Sequence, residues 1–111
     1  MRIINGKKFY KKDIEAATRL PFNGWDSYNG QNYQWYSVYY NPDCGLTILS
    51  ASNSGDCYGD YGDRYYESPK AFYNAECVGD EYSYGRSFEK LIGDVDEDNE
   101  LAMQFIEAAG L

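Results

Sequence analysis

Histidine is absent from this 111-residue chain, and that absence excludes more chemistry than any residue present. Ser-His-Asp triads, Cys-His pairs, HExxH sites and His-ligated zinc all need an imidazole. Cysteine is scarce as well: Cys44, Cys57 and Cys77 form no Cys-x-x-Cys spacing. An odd count without such a motif favours reduced thiols rather than a disulfide framework. With no imidazole to activate them, and with Asp43 and Asp56 beside the first two, these thiols are not expected to act as nucleophiles. Long hydrophobic runs are missing too. Ile3 and Ile4 are followed at once by Asn5, Gly6, Lys7 and Lys8, which is not the pattern of an export signal. No stretch of 18 apolar residues is present to span a membrane. The expectation is a cytoplasmic chain with no membrane association, folded as a single domain over residues 1–111.

Bases are few, ten against 18 acids, and the formal charge is −8. The charge is unevenly spread. Residues 1–20 hold six bases and two acids, a net of +4, and residues 21–111 hold four bases and 16 acids, a net of −12. An acidic body repels a phosphate backbone, so direct nucleic-acid binding is disfavoured. Lys7, Lys8, Lys11 and Lys12 around Phe9 and Tyr10 are too few to reverse that balance. They are expected to be solvated or to pair with the acidic C-terminal helix. The same acidic body attracts a basic partner, including one that itself handles nucleic acid.

Tyrosine is abundant. There are 13, and aromatic residues make up 18% of the chain. A core so short of aliphatic residues must be built partly from rings. The tyrosines it cannot hold must lie at the surface, where Tyr makes large contacts at little entropic cost.

The pattern along the chain predicts an α+β fold: a small antiparallel sheet centred on a 33–40/46–51 hairpin, packed by an N-terminal helix and a C-terminal helix. Residues 33–40 (YQWYSVYY) are aromatic and β-branched with no breaker, and residues 41–45 (NPDCG) make the turn. Asn5-Gly6 predicts a tight hairpin before them. The spacing of Ile14, Ala17 and Leu20 predicts a helix over 11–20, ended by Pro21. Residues 22–31 read as an aromatic-bearing loop. A strand is predicted near 64–67. Ser68 and Pro69 open a helix to about residue 77, with Phe72 and Ala75 inward. A helical turn is predicted over 87–92. The last helix is predicted over 97–109, with Asp96 or Asp98 as its N-cap, Leu101, Phe105 and Ala108 forming one inward stripe, and Gly110 ending it.

Candidate sites for chemistry are weak. Asp94, Asp96, Asp98 and Glu100 resemble the opening of a calcium-binding EF-hand loop. Asn99, however, stands where that loop needs Gly, and Phe105 where it needs the bidentate Glu. Asp56, Asp60, Asp63 and Glu67 have no fixed geometry for a cation. Neither a metal, a cofactor nor a catalytic residue is assigned.

The pattern with most content sets rings among acids. Trp25, Tyr28, Asp56, Tyr58, Asp60, Tyr61, Asp63, Tyr65, Asp80, Glu81, Tyr82 and Tyr84 form a candidate partner-binding surface, with Tyr33, Trp35 and Tyr39 near the central hairpin. Aromatic anchors ringed by carboxylates suit a basic protein surface, and spaced carboxylates imitate phosphates. In size and charge the chain resembles small acidic inhibitors encoded by phages or mobile elements. The reading is a non-enzymatic acidic protein-binding module, in its sharpest form an inhibitor of a basic or nucleic-acid-handling protein. Two alternatives stand beside it: a subunit that self-associates into a homo-oligomer, and a carboxylate-dependent hydrolase or carbohydrate binder with Trp25 or Trp35 as a stacking platform.

Overall fold

The computed structural model describes residues 1–28, 31–53, 62–77, 86–88 and 96–111. Elements follow in the order β1 (Arg2–Ile4), β2 (Lys7–Phe9), α1 (Lys11–Glu15), β3 (Thr18–Tyr28), β4 (Gln31–Tyr40), β5 (Thr47–Asn53), β6 (Gly62–Tyr66), α2 (Pro69–Glu76), β7 (Arg86–Phe88) and α3 (Glu100–Ala108). The fold is α+β, as the sequence pattern implies. Strands β1 and β2 pair alone, and the other five form one antiparallel sheet in the order β6-β5-β4-β3-β7. The aromatic strand β4 is therefore central. No helix among the described residues is long and apolar enough to cross a membrane.

Local chemistry sets the turns. Asn5 and Gly6 both take positive φ, at 50° and 84°, and join Ile4 to Lys7 in a two-residue hairpin turn. After β4, the Asn41 N–H donates to Leu46 O at 2.9 Å and the Gly45 N–H to Asn41 O at 2.8 Å. The Asn41 side chain also accepts from the Asp43 N–H at 3.0 Å. Gly45 has a φ of +84°, and a Cβ there would sit 3.2 Å from Glu67 O. Both facts restrict the position to glycine. The return strand pairs Tyr40 with Thr47 and Tyr36 with Ala51, which makes the central hairpin.

Three expectations fail for one reason: the sheet captures residues that look helical or irregular alone. The predicted helix over 11–20 stops at Glu15, and Thr18, Arg19 and Leu20 begin β3. Pro21 does not end a helix. It lies in a register irregularity where Leu20, Pro21 and Phe22 stand against Val38 of β4. A bulge of this kind tolerates the missing proline N–H. Because it keeps the side-chain alternation in phase, Leu20 and Phe22 both reach the core. The predicted loop over 22–31 is mostly strand, since β3 runs to Tyr28 and pairs with β4 from Gln31. The predicted helical turn at 87–92 begins instead with β7, which pairs with β3; residues 89–92 lie outside the described set.

The later helices keep their predicted places. Ser68 accepts from the Ala71 N–H at 3.1 Å and caps α2. The N-cap of α3 is Asn99, accepting from the Ala102 N–H at 3.0 Å, rather than Asp96 or Asp98. Ala75 and Ala108 are exposed, not inward; Glu76 takes the inward place on α2.

The sheet separates two clusters. On one face Leu20, Phe22, Tyr36, Val38, Tyr40 and Leu49 meet Phe72 of α2 and Ala102, Phe105 and Ile106 of α3. Phe105 is the hub of this cluster. Its ring centroid lies 5.4 Å from Phe22, 5.2 Å from Tyr40 and 5.8 Å from Phe72, the last two edge-on. Such contacts add to the area term of burying large rings. On the other face Phe9, Leu46 and Ile48 are buried, with Ile4, Ile14, Ala17, Tyr39 and Tyr65 packed around them.

Candidate functional site

The second face of the sheet is covered at one end only by the elements described. Directly paired strand residues share a face, so the register lays out its rows. Tyr65, Ile48, Tyr39 and Arg19 form the first row, and Asp63, Ser50 and Ser37 the second. Trp35 stands in the third, its backbone paired with Ser52 and Trp25.

The N-terminal unit of β1, β2 and α1 covers the first row. Phe9 is fully buried there. Polar links pin the unit in place. Asn5 Nδ2 donates to Glu67 Oε1 at 2.9 Å, Lys7 Nζ donates to Cys44 O, and Asn41 Nδ2 donates to Asp13 O at 3.0 Å. The Arg2 guanidinium lies over the Tyr65 ring, 4.0 Å from its centroid. The Tyr65 hydroxyl is 3.5 Å from Asp63 Oδ2. Two of the basic residues thus find partners other than the C-terminal helix. Lys7 reaches Cys44 O and stands 5.2 Å from the Phe9 ring centroid, and Lys11 pairs with Glu15 of its own helix at 3.7 Å.

Beyond that cover the face changes character. Ser37 and Ser50 are half-buried, Asp63 is exposed, and Trp35 is 40% exposed on the central strand. Its strand neighbour Tyr36, on the opposite face, is 2% exposed. A large ring on a central strand ordinarily lies under another layer.

The structure therefore locates part of the predicted surface. Asp63 and Tyr65 lie together on β6, with Asp63 exposed and Tyr65 half-buried under Arg2. Trp25 and Tyr28 are β3 residues, paired with Trp35 and Gln31, not loop residues. Asp56, Tyr58, Asp60, Tyr61, Asp80, Glu81, Tyr82 and Tyr84 lie outside the described residues, as does Cys57. Trp35 carries the strongest structural signal, and it is absent from the twelve-residue candidate surface. The alternation over 33–40 puts it on one face of the strand but cannot say which face stays open.

Other groups with chemical potential serve the fold. Glu76 is buried, and its carboxylate accepts from the Tyr66 hydroxyl and from Arg64 Nη1 at 3.3 Å. This arrangement ties α2 to β6 and satisfies a charge that would otherwise be costly to bury. Burial pushes the Cys77 thiol up to about 12, so it is protonated at neutral pH and packs as a small apolar group. Burial, and then the neighbouring Cys44, raise the Tyr40 hydroxyl above its usual range. Among the described residues no three His, Cys, Asp or Glu side chains gather as metal ligands. Comparison with known proteins gives no match: no family model, no curated protein and no solved structure is significantly similar to the chain.

Proposed function

We propose that the chain is a non-enzymatic acidic protein-binding module that docks a basic partner on the part of the sheet carrying Trp35 and Asp63. The observation that supports this reading most is the 40% exposure of Trp35 on the central strand. A ring held by a rigid sheet is already ordered, so covering it costs little conformational entropy. The charge of −12 over residues 21–111 supplies the attraction at a distance. Such a field raises the association rate and penalises acidic competitors more than it adds net affinity. An inhibitor of a basic or nucleic-acid-handling protein is the specific form this function takes.

The reading is tested by affinity purification from the native cell with washes at graded salt, run in parallel on Trp35→Ala and Asp63→Asn. A basic partner should be retained at low salt, released as salt rises, and depleted on both variants. A partner held equally by both variants contradicts the assigned surface. Concentration-dependent assembly of the pure chain, abolished by Trp35→Ala, would assign the face to self-association.

A further inference from the structure

The covered end of the face shows what the open end can accept. There the chain lays its own Arg2 over Tyr65, 4.0 Å from the ring centroid, and the Tyr65 hydroxyl is 3.5 Å from Asp63 Oδ2. An arginine on a ring with an acid nearby is thus a contact this face already makes within the molecule. Two residues from Ser37 on β4, Trp35 offers a larger ring on the same face, and Asp63 lies in the row between it and Tyr65. Strand spacing puts the Trp35 and Asp63 backbones about 12 Å apart. Two basic side chains on one side of an extended segment, two to four residues apart, span that gap.

We infer that the occupant of the open rows is an extended segment bearing arginines rather than lysines, stacked on Trp35 and paired with Asp63. This rests on the docking proposed above and narrows it to one chemistry. Arginine is favoured because its planar guanidinium stacks on an indole while its N–H groups still bind a carboxylate, and it is less strongly hydrated than an ammonium. Arg19 in the first row and Arg2 over Tyr65 fix the direction of the charge pattern. The covered end is positive and Asp63 stands on the open side.

The test uses an alternating Ser-Arg peptide and its Ser-Lys counterpart of equal length, titrated into the full chain by calorimetry at low and high salt. Alternation places every base on one side of an extended segment. The Ser-Arg peptide should bind roughly two- to five-fold more tightly than the Ser-Lys peptide. Trp35→Ala should remove that preference, and Trp35→Phe should keep part of it. Asp63→Asn should weaken both peptides, and Glu107→Gln, at an exposed position of α3, should change neither. Circular dichroism confirms that each variant is folded. Equal binding of the two peptides overturns the arginine preference and leaves the docking proposal standing. Binding of neither overturns both. A preference that survives in Trp35→Ala also overturns the inference, because the selectivity then lies elsewhere.

Discussion

The two faces of the sheet use the same residue types for opposite ends. On one, Tyr36, Val38 and Tyr40 disappear under α2 and α3, and Phe105 joins three other rings. On the other, the same strand presents Tyr39 half-covered by the N-terminal unit and Trp35 exposed. One strand of alternating aromatics therefore serves a core and a surface at once, because successive side chains point to opposite sides. Aromatic content alone distinguishes neither role. What does, among the described residues, is the supply of covering layers: two helices on one side, a short hairpin and one helical turn on the other.

That contrast can be broken most sharply at Phe105. Phe105→Ala should cost about 3–5 kcal/mol in denaturant unfolding, since it empties the junction of Phe22, Tyr40 and Phe72. Phe9→Ala, in the smaller cluster, should cost about 3 kcal/mol. Its hydrogen-exchange signature should differ, with protection lost in residues 1–17 and in β5 and β6 but retained in α3. Equal loss across both faces would show that the clusters form one cooperative core. Glu76→Gln removes a buried charge from the Arg64 and Tyr66 donors and should cost about 1–2 kcal/mol, again by denaturant unfolding. Arg2→Ala should cost only about 0.5–1 kcal/mol, the scale of one partly exposed stack over a ring. The same change exposes Tyr65, so it should increase binding of a basic peptide to the face rather than reduce it.

Much of this architecture was legible in the residues themselves. The central hairpin follows from the alternation over 33–40 and the Asn41 to Gly45 turn, and both are formed. Ser68 with Pro69 places α2, and the stripe of Leu101, Phe105 and Ala108 places α3, although Ala102 and Ile106 rather than Ala108 join Phe105 in the core. What stayed hidden were the long-range effects. The stretch from Thr18 to Tyr28 contains Pro21, Asn23 and Gly24, which locally oppose a strand, and pairing with β4 overrides them. Glu76 reads as an ordinary surface acid until Arg64 and Tyr66 are brought to it by β6. The site was legible only as a composition. Setting rings among acids pointed to twelve residues, of which Asp63 and Tyr65 lie two apart on β6. The 40% exposure of Trp35 is set by what packs over the sheet, and nothing local to residues 33–40 encodes that.

The central claim is that Trp35 is an accessible ring in a negative field. The most direct measurement is quenching of its fluorescence in a Trp25→Phe variant, which leaves Trp35 as the chain's single tryptophan. Caesium and iodide carry opposite charge and report the local potential. At low ionic strength caesium should quench Trp35 more efficiently than iodide, and the difference should collapse as inert salt is added. Equal or stronger quenching by iodide would contradict the account, and so would a tryptophan that neither ion can reach.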